Sequence, residues 1–362
     1  MKRILIIGMT DLLGGVETYI YSVIKNIDRR KYSFDFLIIG QGIKAVYERE
    51  INELIGDGLN HFFYSPNLKR HYFMSSKWLK QFYDSHNYDA IYLNTTTAAR
   101  IMYCRYALNN KESKLIAHSH QGNAVSLKKS MGNRLFKHYL TKRSWKKLAC
   151  SEIAYKWLFD DIPLPGCIIP NGIETDKFRF NDLKRKEIRG NLGIADNKIV
   201  IGHVGRWSTQ KNQSFFISLS QLLGDDYLFL CIGDGPDKET FELSIKEKGV
   251  SDRFVILGAR NDVNNYYSAM DIFAMPSYYE GLPIVAVEAQ CNGLPCVFSD
   301  SISKHTDISG RCFFVSINQQ DKWRAAIECI NKERYDGEAC LKDRGFSIFN
   351  TVKILDSILE SI

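Results

Sequence analysis

Short apolar runs alternate along the chain with stretches in which apolar positions recur at helical spacing. The runs Arg3–Ile7, Phe34–Ile39, Ile91–Leu93 and Lys114–Ala117 come first, and Ile199–Val204, Tyr227–Ile232, Phe254–Leu257, Ile272–Ala274 and Cys296–Phe298 follow. Strand and helix in alternation predict the α/β class with parallel sheets. The alternation lapses over Asp160–Arg179, where Pro163, Pro165, Pro170 and Gly172 cluster, and a charged helical stretch then leads into the second set of strands. The expected domains are residues 1–165 and 166–345. In residues 346–362, Ile348, Val352, Leu355 and Leu359 share one helical face, which predicts a terminal amphipathic helix. Two similar halves of this kind would bind a ligand between them, at the carboxyl ends of their strands.

Length agrees with two domains, since 362 residues exceed the roughly 250–300 that one core serves. A hydrophobic content of 45% with 25% charged residues excludes disordered, collagenous and disulfide-stapled classes. The apolar start, Met1 to Gly8, breaks at Gly8-Met-Thr-Asp11 and reads as a first strand, too short for a secretory segment. No run reaches the roughly 18 apolar residues a membrane-spanning helix needs. The nine cysteines are odd in number and scattered, and Cys291 and Cys296 bracket Asn-Gly-Leu-Pro without a partner pair. Reduced thiols in the cytoplasm are the expectation.

Net charge changes the picture, because the overall +7 divides into +11 for residues 1–165 and −4 for the remainder. Ser113–Ser151 contains no acidic residue but includes Lys128, Lys129, Arg134, Lys137, Lys142 and Arg143. Leu127, Met131, Leu135 and Tyr139 lie on one face among them. A peripheral site on the anionic inner face of the cell membrane is the expected use of this segment, with a solvated basic helix as the alternative. Nucleic acid is not expected, since no aromatic platform is interleaved with the cations.

Candidate chemistry concentrates in Met275-Pro-Ser-Tyr-Tyr-Glu280-Gly-Leu-Pro283-Ile-Val-Ala-Val-Glu288. It follows a strand and opens a helix, so free N–H groups from Gly281 through Leu282 to Ile284 form an anion site flanked by two carboxylates. Hydroxyl-rich phosphorylated ligands such as nucleotide sugars suit it; a proline-capped helix with Glu280 favoured by the helix dipole is the plainer reading. Gly205-Arg206-Trp-Ser-Thr-Gln-Lys211-Asn212 follows the strand Ile199–Val204, and its two cations suit a diphosphate. Gly233-Asp-Gly235-Pro236 reads as a turn. In the amino half, Gly14 and Gly15 allow close backbone approach in the first βα loop, ahead of Glu17, but the spacing is no dinucleotide fingerprint. His118-Ser-His120 ends a strand; these two histidines alone lack the further ligands of a zinc site, and no metal is expected.

Taken in order, Gly-Gly-x-Glu, His-Ser-His, Cys150-Ser-Glu, Pro170-Asn-Gly-Ile-Glu174, Gly-Arg-x4-Lys-Asn, Gly-Asp-Gly-Pro and Glu-x7-Glu span nearly the whole chain. The sequence resembles the retaining GT-B glycosyltransferases of family 4, above all bacterial enzymes of capsular polysaccharide and exopolysaccharide synthesis. That resemblance implies two Rossmann-like domains facing across a cleft, and a final helix crossing back to the amino domain. The donor it implies is a nucleotide sugar, a UDP-sugar before a GDP-sugar, with no other cofactor. The acceptor it implies is a saccharide or lipid-linked saccharide.

Carried over by position, Arg206 and Lys211 would grip the diphosphate, with Gly205 and Gly233 in the donor loops. Glu280 would hold the transferred sugar, Glu288 the ribose, and the Gly281 and Leu282 amides the phosphate. Gly14 and Gly15 would let the first loop close, and His120, preferred over His118, would sit at the anomeric centre. Glu17, Asn94 and His118 would lie on the acceptor side. Asn171 and Ser151 are read as structural, a linker turn and a helix N-cap. A catalytically silent subunit of a two-chain transferase and a nucleotide-sugar epimerase are the competing readings. A Rossmann oxidoreductase is disfavoured by the missing fingerprint.

Overall fold

The computed structural model describes residues 1–40, 44–56, 61–109, 113–121 and 127–362, with only the main chain of 127–132. It divides into two compact units, Met1–Gly172 with Ile348–Ile362, and Ile173–Ser347.

The first unit is built on a six-stranded sheet of β1 (Lys2–Ile7), β2 (Tyr32–Ile39), β3 (Phe62–Ser65), β4 (Ala90–Thr95), β5 (Lys114–Ser119) and β6 (Lys146–Ala149). Its order is β3-β2-β1-β4-β5-β6 and every pairing is parallel. The second unit repeats the scheme with β7 (Ile199–Val204), β8 (Tyr227–Ile232), β9 (Phe254–Leu257), β10 (Ile272–Met275), β11 (Cys296–Ser299) and β12 (Cys312–Val315), in the order β12-β11-β10-β7-β8-β9. The expected α/β class with two parallel sheets is therefore what the chain forms. Parallel strands covered on both faces are buried throughout, which is why Ile4–Ile7 and Ile272–Met275 read as unbroken apolar runs.

Three strands escape the sequence pattern: β3, β6 and β12. Each is a four-residue edge strand, and β3 and β12 are largely half-buried.

The last helix, Ile348–Glu360, lies in the first unit against the helix Gly15–Asn26. Its buried positions are Ile348, Thr351, Leu355, Ile358 and Leu359. Val352, expected on the apolar face, is only half-buried, and Thr351 takes the inner place because its hydroxyl donates to Pro170 O at 3.0 Å. Lys31 Nζ reaches Asp356 at 2.7 Å and Glu360 at 2.6 Å, and Lys2 Nζ donates to the final carbonyls at Leu359 and Glu360. Cations on terminal carbonyls stabilise a helix end.

Among the described residues no helix is long and apolar enough to cross a membrane, and all nine cysteines are free.

Candidate functional site

In the second unit β10, β7 and β8 are neighbours, so the loops that follow them emerge side by side at the carboxyl edge of the sheet. These loops are Pro276–Pro283, Gly205–Asn212 and Gly233–Asp237. The last two are joined main chain to main chain: Gly205 N donates to Ile232 O at 3.0 Å and Trp207 N to Asp234 O at 3.0 Å, while the buried Trp207 indole donates to Gly233 O at 3.1 Å. Gly233 has φ +143° and Gly235 φ +155°, and a Cβ on them would lie 2.0 Å from Gly205 O and 2.2 Å from Trp207 O. The Gly-Asp-Gly-Pro loop is thus more than a turn. Its glycines let one loop backbone lie directly on the next.

On the other side, Tyr278 N donates to Gln210 O at 2.9 Å, Gln210 Nε2 to Tyr279 O at 3.0 Å, and Asn212 Nδ2 to Pro276 O at 3.1 Å. Asn212, at φ +55°, is the only non-glycine residue with positive φ among the described residues. Asparagine tolerates that conformation, and here its amide also ties the two loops together.

This bracing carries the charges. Lys211 runs past Gly205 and places Nζ 2.7 Å from Glu280 Oε1, with both side chains largely withdrawn from solvent. Arg206 is exposed, and among the described residues no side chain pairs with it. Beneath the loop, His203 Nδ1 donates to Ala274 O at 3.0 Å and its Nε2 faces Gln213 Nε2 at 3.3 Å. Burial pushes this imidazole down to about 4, which matches a neutral ring with one N–H and one lone pair. Gln213 also donates to Arg206 O at 2.9 Å. His203 and Gln213 hold the loop from below, and no sequence pattern singled them out.

Pro283 is the N-cap of the helix Ile284–Cys291 and has no N–H, so it interrupts the amide row expected from Gly281 to Ile284. Leu282 is buried, Gly281 half-buried, and the buried Ser277 hydroxyl has no hydrogen-bond partner among the described residues. Glu288 lies inside the helix, buried, and accepts from Tyr267 OH at 2.7 Å. Burial raises its carboxyl to about 7, with the Tyr267 hydrogen bond pulling the other way. A carboxyl poised there can both donate and accept.

In the first unit, β1 and β4 are adjacent and Gly8, at φ +145°, lies where a Cβ would be 2.5 Å from Asn94 O. Gly14 is the extended N-cap of the helix Gly15–Asn26, and a Cβ on it would stand 2.7 Å from Glu17 Oε2. The glycine leaves room for Glu17, at the third helical position, to fold back over the helix start. Glu17 Oε1 accepts from Thr10 Oγ1 at 2.7 Å, and burial raises its carboxyl above the ordinary range. Gly15 opens the helix.

His120 is held at both nitrogens by side-chain amides, Asn94 2.9 Å from Nε2 and Asn171 3.2 Å from Nδ1. Burial pushes it down to about 3. His118 is fully buried, its Nδ1 2.7 Å from Tyr92 OH and its Nε2 without a hydrogen-bond partner among the described residues; burial drives it well below its usual value. The two rings lie 4.2 Å apart, and Tyr19 packs on both. Ser151 is the N-cap read from the sequence, accepting from Ala154 N at 3.2 Å. Asn171 is more than a linker turn, because it is buried and faces His120.

The basic segment is less solitary than its composition. Arg134 and Lys142 are exposed, but Lys137 Nζ donates to Lys156 O at 2.6 Å with Asp160 3.7 Å away, and Arg143 donates to Leu108 O at 3.3 Å. Asp160 and Asp161 fold back against a stretch that has no acid of its own. The Lys128 and Lys129 side chains lie outside the described residues.

Residues 184–334 match the family model described as glycosyl transferases group 1, and residues 13–177 match glycosyltransferase family 4. Among curated proteins, the chain is 27% identical over 317 residues to a Bacillus subtilis (strain 168) protein carrying the name glycosyltransferase EpsF, covering 84% of this chain and 81% of that one. It is 26% identical over 223 residues to the UDP-Gal:α-D-GlcNAc-diphosphoundecaprenol α-1,3-galactosyltransferase of Escherichia coli, covering 58% of this chain and 56% of that one. Among solved structures, Anabaena HepE in complex with UDP superposes with a TM-score of 0.78 at 18% identity, covering all of both chains. WaaG, a glycosyltransferase involved in lipopolysaccharide biosynthesis, gives 0.61 at 14% identity, covering 98% of this chain and 95% of that one. The fold is that of the GT-B glycosyltransferases, and the two segments 13–177 and 184–334 are each similar to a glycosyltransferase family.

Proposed function

We propose that this protein is a retaining glycosyltransferase that moves a sugar from a nucleotide-diphosphate sugar, UDP-linked before GDP-linked, to a hydroxyl of a lipid-linked saccharide. Its work would be cell-surface polysaccharide synthesis at the inner face of the membrane. The observation that carries the reading is the Lys211–Glu280 pair set beside the exposed Arg206, which no side chain pairs among the described residues, on interlocked loops at the ends of β7 and β10. Two cations on a rigid support suit a leaving diphosphate, and a carboxylate held by one of them suits sugar hydroxyls. The UDP complex of Anabaena HepE and the diphosphoundecaprenol named for the E. coli relative support the choice of donor and acceptor.

In the proposed course the acceptor hydroxyl attacks the anomeric carbon on the face the diphosphate leaves. Positive charge gathers on the sugar and negative charge on the departing oxygens. Arg206, Lys211 and the amides around Gly281 and Leu282 stabilise that oxygen charge, so the transfer is expected to proceed without added metal. The departing phosphate oxygen takes the acceptor proton. Glu280 holds the transferred sugar, Glu288 the ribose, and His120, oriented by Asn94 and Asn171, is the candidate group at the anomeric carbon.

The test begins with thermal stabilisation by uridine and guanosine diphosphates and their sugars, with a metal chelator present. A ligand bound only to the native state raises Tm. A shift with one nucleotide series that Arg206→Ala abolishes, followed by product NMR showing a retained anomeric configuration, supports the proposal. Absence of any shift overturns it in favour of a silent subunit, and turnover of a nucleotide sugar without acceptor overturns it in favour of an epimerase.

A further inference from the structure

Between Gly58 and Tyr83 the sequence carries no acidic residue, and it places Lys69, Arg70 and His71 directly before Tyr72, Phe73 and Met74. Those three large apolar residues are the first turn of the helix Tyr72–Ser85, and they are 52%, 87% and 51% exposed. Lys69, Arg70, Lys77 and Lys80 are exposed too, and among the described residues none has an ion-pair partner. Three consecutive residues spaced about 100° apart cannot all face a core, so a helix start of this composition keeps its apolar groups in solvent unless something covers them.

The tip is held in that outward pose. Asn67 turns the chain, with its Oδ1 accepting from Lys69 N at 2.9 Å and its carbonyl from Arg70 N and His71 N at 3.1 and 2.9 Å. Leu68 N donates to Tyr103 OH at 2.9 Å. Arg105 donates to Tyr72 OH at 3.0 Å and lies over the Tyr72 and Tyr106 rings at 5.3 and 4.7 Å. The turn and the Tyr72 side chain are thus fixed in place, so they lose little freedom when the tip is covered.

We propose that Lys69–Met74 is a membrane-insertion tip, with Phe73 and Met74 entering the headgroup and acyl boundary of an anionic bilayer and Lys69, Arg70 and Lys77 meeting lipid phosphates. Charge selects this occupant: a segment that carries no carboxylate of its own, and whose cations have no ion-pair partner among the described residues, complements an anionic surface, and three residues at a helix end are too few for a stable protein interface of roughly 800 Å² per partner. The residues involved are other than those of the basic helix Leu127–Arg143. It rests on the proposal above only in placing the acceptor at a membrane.

The test is co-sedimentation of the full chain with vesicles of phosphatidylcholine alone or with about 30% phosphatidylglycerol. The wild type is expected to pellet with the anionic vesicles only. Phe73→Ser/Met74→Ser and Lys69→Gln/Arg70→Gln should each lower the partition coefficient at least about tenfold. Both variants should retain the wild-type Tm and full turnover of a water-soluble acceptor, so that failure here is distinguishable from failure of the transferase reading. Unchanged partitioning of the serine variant, or no binding of the wild type to anionic vesicles, overturns the proposal. So does wild-type self-association that the serine variant abolishes in the absence of lipid, which would make the tip a contact between two copies.

Discussion

Lys211 Nζ stands 2.7 Å from Glu280 Oε1, a cation from the loop after β7 paired with a carboxylate from the loop after β10. Two residues assigned by their sequence motifs to different parts of a donor, diphosphate and sugar, form an ion pair with each other. Each neutralises the other's partly desolvated charge. Lys211→Ala and Glu280→Ala are each expected to lower kcat about 100-fold or more while the chain stays folded. Their stability costs should not add: the double variant removes both charges and should be less destabilised than the sum of the singles. Steady-state kinetics and thermal melts of the three variants check this, and near-normal turnover in either single variant would remove that residue from the assignment.

Glu288 gives a pH signature. Its carboxyl is raised to about 7 in the folded protein from an ordinary value of 4.5, so the folded state binds the extra proton between those two values. Stability referred to this group is greatest below pH 4.5, falls as pH rises to about 7, and is level above that. The full effect is up to about 3 kcal/mol. The neutral Glu288→Gln variant should therefore gain Tm relative to wild type progressively over that window and hold a constant difference above it. A difference independent of pH would contradict the assignment.

His120 behaves oppositely. With its imidazole pushed down to about 3, it stays neutral across the physiological range, and its ring-proton NMR shifts should be flat from about pH 5 to 8. Asn171→Asp places a carboxylate 3 Å-scale close to Nδ1 and should bring a titration back into that range. Because the wild-type folded value lies below the unfolded one, stability from this group is lost as pH falls from about 6.5 towards 3, and the Asn171→Asp variant should lose less of it.

Glycine substitutions separate close approach from open space. Gly233→Ala combines φ +143° with a Cβ 2.0 Å from Gly205 O, and should cost about 2–4 kcal/mol with weakened nucleotide binding, since the displaced loop carries Arg206 and Lys211. Gly190→Ala lies inside the helix Asp182–Asn191 with nothing within 4 Å of the new Cβ, and should stabilise by roughly 0.5–1 kcal/mol. Chemical denaturation of both variants measures the contrast.

The interior strands and the two-sheet plan were legible in the chain because parallel strands buried on both faces must be continuously apolar. Three of the four edge strands, Phe62–Ser65, Lys146–Ala149 and Cys312–Val315, were not, while the fourth, Phe254–Leu257, was. Motif order was likewise readable, placing Arg206 and Lys211 in one βα segment and Glu280 and Glu288 in another. Which side chains meet was a tertiary matter, for a pair separated by 69 residues, Lys211 and Glu280, is joined only by the neighbouring positions of β7 and β10 in the sheet. The same holds for Asn171 beside His120 and for Tyr267 beside Glu288. Sequence sets which residues can bear charge and which must be buried. Burial itself, which moves Glu288 up and His120 down, comes from the surrounding fold, because desolvation depends on every atom packed around a group and not on its neighbours along the chain.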